Sequence, residues 1–211
     1  MQTNEQNPPR RGRPPKVVRS NADTRALLIT TGLETLTEFG FSATGIDTIL
    51  KKVGVPKGSF YHYFMSKDDF GLTVIDAYND YFVAKLNRYL KQDDVPHLER
   101  LINFTQSAAA GMQKYNFSRG CLIGNLNQEL NHLSEEFKTK LLLSYQQWQL
   151  QVQQCIEGAQ EQKLVSKQID AAQMSEFFWV GWEGAVMRAK LVKNSQPLML
   201  YTEMFLRALL R

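Results

Sequence analysis

Apolar residues recur along most of this chain with the three- and four-residue spacing of amphipathic helices. No stretch alternates steadily between apolar and polar positions, and no Asn-Gly or Asp-Gly pair signals a hairpin. The pattern therefore predicts an all-α fold. We expect helices at about residues 23–39, 45–53, 57–63, 67–86, 97–115, 120–132, 134–161, 170–193 and 197–210.

Residues at the ends of these segments support the predicted boundaries. Gly40 follows an apolar stripe of Leu28, Leu36 and Phe39, and glycine is common just beyond a helix C-terminus. Thr44 with Asp47, and Ser66 with Asp69, have the spacing of capping boxes. The long helix beginning near residue 134 has one apolar face. That face carries Phe137, Leu141, Tyr145, Trp148, Val152, Ile156 and Ala159.

The composition is that of a folded soluble protein. Hydrophobic residues make up 43% and charged residues 22% of the 211 residues. Apolar runs are too short to span a bilayer, and no apolar segment follows the N-terminal arginines as in a secretory signal. The two cysteines cannot form a disulfide framework. We therefore expect a reduced cytoplasmic protein without a membrane partner.

Basic charge is concentrated at the N-terminus. Residues 1–20 contain five basic residues and one acidic residue, and four prolines that oppose helix formation. We expect a disordered basic arm here. Its segment Arg11-Gly12-Arg13-Pro14 suits the narrow minor groove of A·T-rich DNA, although a solubilising tail without fixed contacts has the same composition. Because the basic charge is concentrated at the N-terminus, we expect the N-terminal part of the protein to bind a polyanion.

Two short predicted helices joined by a tight turn form a candidate helix-turn-helix. Phe60 is expected to point inward beside Ile49 and to fix the angle between the helices. Gly58 would allow close approach of the backbone to DNA, and Tyr61 and His62 would face outward toward phosphates or bases. The other interpretation is that the aromatic residues of this segment are core residues of an ordinary helix pair.

This region strongly resembles the DNA-binding domain of TetR-family repressors. The resemblance rests on Gly40-Phe41, on Ile46–Leu50, on Gly54–Phe64 and on Ser66-Lys67, and it covers about residues 22–82. It implies a homodimer that binds a near-palindromic operator on double-stranded DNA. The DNA contacts that it implies are Thr44, Lys57, Gly58, Ser59, Tyr61, His62 and Lys67.

The resemblance also divides the chain into three parts. Residues 1–20 form the basic arm, and residues 21–66 form the helix-turn-helix domain, which extends to about residue 82. Residues 67–211 form a helical domain for effector binding and dimerisation. No metal or cofactor motif occurs in the sequence.

Two further segments, residues 119–129 and 178–190, resemble one branch of the TetR family. Repressors of this branch sense reactive unsaturated carbonyl compounds and include those of acrylate utilisation and of N-ethylmaleimide reductase. The resemblance implies a small inducer such as acrylate or another α,β-unsaturated carbonyl compound. A Cys-dependent redox or electrophile sensor of the same fold with a different inducer is the alternative.

Cys121 is the candidate sensing residue. It lies near a predicted helix N-terminus and close to Arg119, and both features favour the reactive thiolate. Its alternative role is that of a small buried apolar residue, as we expect for Cys155. Pocket walls are expected from Trp148, Trp179 and Trp182, which are also candidates for core packing. Arg188 or Lys190 is expected to pair with an effector carboxylate. The alternative for each is an exposed cation in contact with water.

Small residues at Gly181, Gly184 and Ala185 would allow close approach of another helix. They fit a dimer interface made by two helices from each subunit, as the resemblance implies, or intrachain packing alone. The last helix would contribute Leu198, Tyr201, Phe205 and Leu209.

An enzyme is the main rival class of protein. Cys121, His132 and Glu129 provide a nucleophile, a base and an orienting acid in one region of the sequence. No catalytic motif accompanies them, so we expect a regulator rather than an enzyme.

Overall fold

The computed structural model describes residues 21–210, and all regular elements in that range are helical. The prediction of an all-α fold is confirmed. The predicted basic arm lies outside the described residues. The helices are α1 (Asn21–Phe39), α2 (Ile46–Val53), α3 (Lys57–Tyr63), α4 (Lys67–Leu90), α5 (His97–Lys114), α6 (Leu122–Asn127), α7 (Glu135–Glu161), α8 (Ala171–Val192) and α9 (Gln196–Leu209).

One predicted helix, at residues 120–132, is divided in the structure. Helix α6 ends at Asn127, and a 3₁₀ turn, Leu130–His132, follows. The break coincides with Glu129, whose carboxylate accepts hydrogen bonds from the backbone N–H groups of Phe41 and Ser42. Hydrogen bonds to a charged group are stronger than those of one further helical turn, so the contact with the α1–α2 connection determines the chain path.

The two predicted capping boxes have different outcomes. The Ser66 hydroxyl accepts from the Asp69 N–H at 3.0 Å, and the Asp69 carboxylate accepts from the Met65 N–H at 2.8 Å, which confirms the cap of α4. The predicted cap at Thr44 is wrong. Gly45 is the N-cap of α2, and the Thr44 hydroxyl instead donates to the Gly40 carbonyl at 2.6 Å.

Helices α1 to α3 and the first turns of α4 pack around a cluster of aromatic rings. Phe60, Phe64 and Phe70 are buried, with ring centroids 4.9 to 5.3 Å apart. Phe60 points inward, as predicted, and Ile49 is buried with it. Phe39 was expected in the apolar stripe of α1 but is exposed, and the Lys52 ammonium lies 5.7 Å from its ring.

Helices α4 to α9 form the body, whose centre is also aromatic. Phe82 of α4 lies 4.3 Å from Trp148 of α7 and 5.9 Å from Trp179 of α8, measured between ring centroids. Helix α4 also contributes Phe70 to the aromatic cluster of α1 to α3, and we call the region around that cluster the head. This one helix therefore connects the two cores without a break.

A glycine of α4 allows head and body to meet. The rings of Phe41, in the α1–α2 connection, and Phe137, in α7, pack against each other over Gly71, with centroids 4.9 Å apart. A Cβ at Gly71 would lie 2.5 Å from Phe41 Cε2 and 2.7 Å from Phe137 Cζ. No side chain larger than hydrogen fits without displacing a ring.

Gly71→Ala is therefore expected to destabilise the protein by about 1–3 kcal/mol, because the new methyl group overpacks the contact between head and body. Gly111→Ala is the matched control, since a Cβ there meets nothing within 4 Å. Alanine at this helical position is expected to stabilise by up to about 1 kcal/mol. Urea denaturation measures both, and Gly71→Ala at or above wild-type stability would contradict the packing described here.

Candidate DNA-binding surface and effector cavity

Helix α3 presents a polar and aromatic surface to solvent. Lys57, Gly58, Tyr61 and His62 are exposed, with Tyr61 50% accessible. Ser59 is half-buried on the same helix. A Cβ at Gly58 would meet nothing within 4 Å, so the backbone there is open to a large partner. This surface offers a cation, hydroxyls and an imidazole to phosphates and base edges.

The other two predicted DNA contacts differ from this set. Lys67 is half-buried, and its ammonium lies 4.4 Å from the centroid of the Phe41 ring. Thr44 is only 3% exposed, and its hydroxyl is already bonded to Gly40. Its side chain therefore holds the turn before α2.

A cavity of about 200 Å³ lies in the body between α4, α5, α8 and the loop that precedes α6. Its volume suits a molecule smaller than a drug-sized ligand. Its walls are largely aromatic and aliphatic, with a few polar groups. The lining residues are Thr37, Tyr78, Tyr81, Phe82, Lys85, Ala108, Gly111, Met112, Tyr115, Arg119, Gly120, Cys121, Trp182, Glu183 and Val186.

Three weak acids meet at the inner wall of this cavity. The Cys121 thiol lies close enough to the Tyr78 hydroxyl and the Glu183 carboxyl to interact with both electrostatically. Burial raises the pKa of Tyr78 and of Cys121 well above their usual ranges. The Cys121 thiol and Glu183 raise the pKa of Tyr78 further, and Glu183 raises that of Cys121, whereas the Tyr78 hydroxyl acts to lower it. Burial also raises the pKa of Glu183 to about 7. At neutral pH the Tyr78 hydroxyl and the Cys121 thiol therefore stay protonated, whereas Glu183 is divided about equally between its protonated and ionised forms.

The expectation that Cys121 is a thiolate is wrong. Cys121 is the N-cap of α6, and its sulfur accepts from the Gly124 N–H at 3.4 Å, which lowers the thiol pKa. Burial and the charge of Glu183 act in the opposite direction and dominate. The Arg119 guanidinium is engaged elsewhere, 3.4 Å from the Glu34 carboxylate and 4.1 Å from the Tyr115 ring centroid.

The structure brings only part of the predicted effector set to the cavity. Cys121 and Trp182 line it. Trp148 and Trp179 are buried in the aromatic centre, where the Trp148 indole N–H donates to Asn79. Both tryptophans pack behind the residues that line the cavity and do not themselves line it.

The predicted cations also lie away from the cavity. Arg188 is exposed, and the Lys190 ammonium donates to Asn125 Oδ1 at 3.4 Å. The cations at the cavity are Lys85 and Arg119. Burial lowers the pKa of Lys85, and no carboxylate of residues 21–210 forms an ion pair with it. Sequence spacing did not identify Lys85, because its position on α4 resembles that of any half-exposed helical lysine.

The segment of residues 119–129 connects the cavity to α1. Arg119 lines the cavity and reaches Glu34, and the Asn125 side chain donates to the Thr37 carbonyl at 2.7 Å. Glu129 accepts from the backbone N–H groups of the residues that follow α1. These hydrogen bonds measure 2.9 Å from Phe41 and 2.6 Å from Ser42.

Gly40 is required at this junction. Its φ of +85° favours glycine, and a Cβ there would collide with the Glu129 carboxylate. The helix-stop prediction for Gly40 is therefore confirmed, with an added reason that the sequence did not show.

Helices α8 and α9 have an exposed apolar surface, and of the residues predicted for it Gly184 is exposed while most of the others are buried. Ala185, Leu198, Phe205 and Leu209 are buried within the chain, and Gly181 packs against the Tyr201 ring. A set of larger apolar residues is exposed beside Gly184. It consists of Phe177, Val180, Met187 and Leu191 on α8, with Met199, Leu200 and Met204 on α9.

The residues of the rival enzyme hypothesis do not assemble. Glu129 is bonded to the α1–α2 connection, His132 is exposed, and Cys121 faces the cavity. Across residues 21–210 none of these three side chains hydrogen-bonds to another. In the same range, no helix combines the length and the apolarity that crossing a bilayer requires.

Two family matches cover the head and the body. Residues 28–71 match the family described as bacterial regulatory proteins, tetR family. Residues 97–205 match the family described as tetracyclin repressor-like, C-terminal domain. The second match alone covers more than half of the chain.

Full-length relatives agree with these matches. The chain is 44% identical to transcriptional regulator AcuR of Cereibacter sphaeroides, over 93% of this chain and 90% of the relative. It is 27% identical to the HTH-type transcriptional repressor NemR of Escherichia coli, over 83% and 88%. The crystal structure of regulatory protein TetR from Rhodobacter sphaeroides superposes with a TM-score of 0.86 and 44% identity, covering 87% of this chain and 97% of that one. The chain belongs to the TetR family of transcriptional regulators, in the branch that contains AcuR and NemR.

Proposed function

We propose that this repressor binds a near-palindromic operator as a homodimer and is released when a small effector occupies the cavity beside Cys121. The observation that carries the proposal is the position of this cavity. Helix α4 lines it and also packs the DNA-binding head, and the 119–129 segment ties it to α1. Occupancy of the cavity therefore acts on two connections to the head.

The exposed surface of α3 is the proposed recognition element. In a dimer, two copies of α3 would enter successive major grooves about 34–36 Å apart. The exposed apolar residues of α8 and α9 support dimerisation, because four helices, two from each subunit, would remove them from water. Leu191 and Val180, 73% and 70% exposed in the single chain, belong to this group of exposed apolar residues, and an exposed apolar patch of several residues commonly marks a protein interface.

The proposed effector is acrylate or another small α,β-unsaturated carbonyl compound, as the likeness to the AcuR and NemR branch suggests. A carboxylate entering an apolar cavity needs a cation there. Lys85 provides one without an existing ion pair, whereas Arg119 already contacts Glu34. We therefore assign the carboxylate to Lys85 in place of Arg188 or Lys190.

Reversible binding fits Cys121 better than covalent capture of acrylate. Addition across a double bond requires a thiolate, and burial opposes its formation at this position. Acrylate is also a weak electrophile, because its negatively charged carboxylate withdraws little electron density from the double bond. A neutral electrophile such as N-ethylmaleimide reacts more readily and is the candidate for a covalent response, which is the alternative function of a Cys-dependent sensor.

The DNA-binding surface is tested by Tyr61→Ala and Lys67→Ala. We expect Tyr61→Ala to lose operator specificity while its helical circular-dichroism signal is retained. Lys67→Ala is expected to weaken binding to all sequences and to lower the salt slope by about one unit, since one phosphate contact is lost. Mobility shifts over a range of salt concentrations measure both effects. Wild-type binding by both variants would show that the DNA surface is assigned wrongly.

The effector site is tested by Lys85→Met. Loss of the cavity cation is expected to raise the acrylate concentration for half-maximal operator release by about tenfold or more, because a charge-assisted hydrogen bond of about 1.5–3 kcal/mol disappears. Arg188→Met is the matched control and should stay within about twofold of wild type, since Arg188 is exposed.

Cys121→Ser separates the two modes of response in the same assay. It is expected to keep its response to acrylate and to lose its response to N-ethylmaleimide. A stable acrylate adduct on Cys121 in intact-protein mass spectra that tracks operator release would contradict reversible binding.

A further inference from the structure

Among the residues that the structure describes, Glu183 is the one carboxylic acid in the cavity lining, and none of them forms an ion pair with it. Its Oε1 atom is inaccessible to solvent and has no hydrogen-bond partner within residues 21–210. The carboxyl group lies against Gly124 in α6, where a Cβ would collide with Oε2. Contact with the backbone of α6 holds this oxygen pair in place beside the Cys121 thiol. A buried polar atom without a partner is costly unless a ligand satisfies it.

The groups around Glu183 give its ionised form little support, because burial raises its pKa and only the interaction with Cys121 acts to lower it. Helix α4 contributes Tyr78, Tyr81 and Lys85 to the same cavity, and the loop before α6 contributes Tyr115, Arg119 and Cys121. Tyr145 of α7 also interacts with the Glu183 charge. Neither cation forms an ion pair with Glu183, and the groups that interact with its charge are the weak acids Tyr78, Cys121 and Tyr145.

We propose that Glu183 takes part in effector binding as a protonated carboxyl group that donates a hydrogen bond to an oxygen atom of the effector. This inference rests on the proposed function and names the recognition chemistry of its site. The ligand class is a small molecule with a carboxylate or carbonyl oxygen, whose other oxygen faces Lys85 and whose carbon chain lies against Trp182 and Val186. Binding of a carboxylate then requires a proton on Glu183, which is taken from the buffer when the free acid is ionised.

If Glu183 were ionised when the ligand binds, a different class of ligand would be expected. An ionised Glu183 among aromatic walls would favour a cationic ligand. The cations at the cavity oppose that arrangement, since Lys85 forms no ion pair within residues 21–210 and Arg119 also lines the cavity. The two ligand classes differ in the sign of their pH dependence.

The sign follows from the pKa of Glu183, which burial raises to about 7. The fraction of protonated Glu183 falls as pH rises through this value, while a simple carboxylic acid such as acrylate stays ionised throughout. The apparent dissociation constant is the intrinsic constant divided by the competent fraction. For acrylate it is therefore expected to be about tenfold higher at pH 8 than at pH 6.

The experiment is calorimetric titration of the full-length wild type, Glu183→Gln and Glu161→Gln with acrylate. Each protein is titrated at pH 6 and pH 8, in two buffers of different ionisation enthalpy. Glutamine keeps the shape and a hydrogen-bond donor but cannot ionise, so Glu183→Gln is expected to show no tenfold change. Glu161→Gln removes an exposed carboxylate that lies outside the cavity and should behave as wild type.

Proton uptake is the readout that needs no variant. Wild type is expected to take up close to one proton per acrylate bound at pH 8 and close to none at pH 6. Proton uptake that persists in Glu183→Gln would show that Lys85, and not Glu183, takes up the proton, and would overturn the proposal. Equal affinity of wild type at the two pH values, or tighter binding at pH 8, would also overturn it.

Operator release is measured alongside acrylate binding, so that a failure of the proposed function can be distinguished from a failure of the role proposed for Glu183. A wild type that binds acrylate with proton uptake but keeps its operator overturns the proposed function and leaves the role of Glu183 intact. A wild type that releases its operator with equal sensitivity at both pH values overturns the role of Glu183 alone. Absence of acrylate binding at pH 6 overturns both.

Discussion

The continuity of α4 is the constraint on which the arrangement of this protein depends. Its first turns bury Phe70 and Val74 in the DNA-binding head, and later turns place Tyr78 and Phe82 at the cavity and the aromatic centre. A helix of 24 residues is about 36 Å long and resists bending, since every backbone hydrogen bond would have to adjust. We therefore expect a displacement at the cavity to move the core of the head as well.

A second connection runs through the 119–129 segment. It begins at the cavity with Arg119 and Cys121 and ends with Glu129 bonded to two backbone N–H groups of the head. The contact of Phe41 with Phe137 over Gly71 lies in the same junction. An effector shifts the head toward one geometry only to the extent that it binds one position of this segment more tightly than another. In this proposal, the weak acids and the two cations that line the cavity select which effectors have that preference.

Local patterns were sufficient to predict the helices, most of their ends and the inward position of Phe60, because these depend on neighbouring residues. The side chains that complete the cavity depend on contacts between distant parts of the chain. Spacing favoured Arg188 and Lys190, yet the packing of α8 directs one to solvent and the other to Asn125. Glu129 had no local signal at all, since its partners lie 87 and 88 residues away. The Cys121 thiol was misjudged because burial, which a sequence does not reveal, outweighs its favourable position at a helix N-terminus.

The coupling of cavity to operator through Glu129 is tested most directly by Glu129→Ala. Operator affinity is measured with and without saturating acrylate, and acrylate affinity is measured by calorimetry, with Glu161→Ala as the control at an exposed site. The ratio of the two operator affinities is expected to be about 5–150 in wild type and in the control, a typical coupling between sites. In Glu129→Ala it is expected to fall toward one while acrylate still binds. A ratio equal to that of wild type, with acrylate affinity intact, would contradict transmission through this contact.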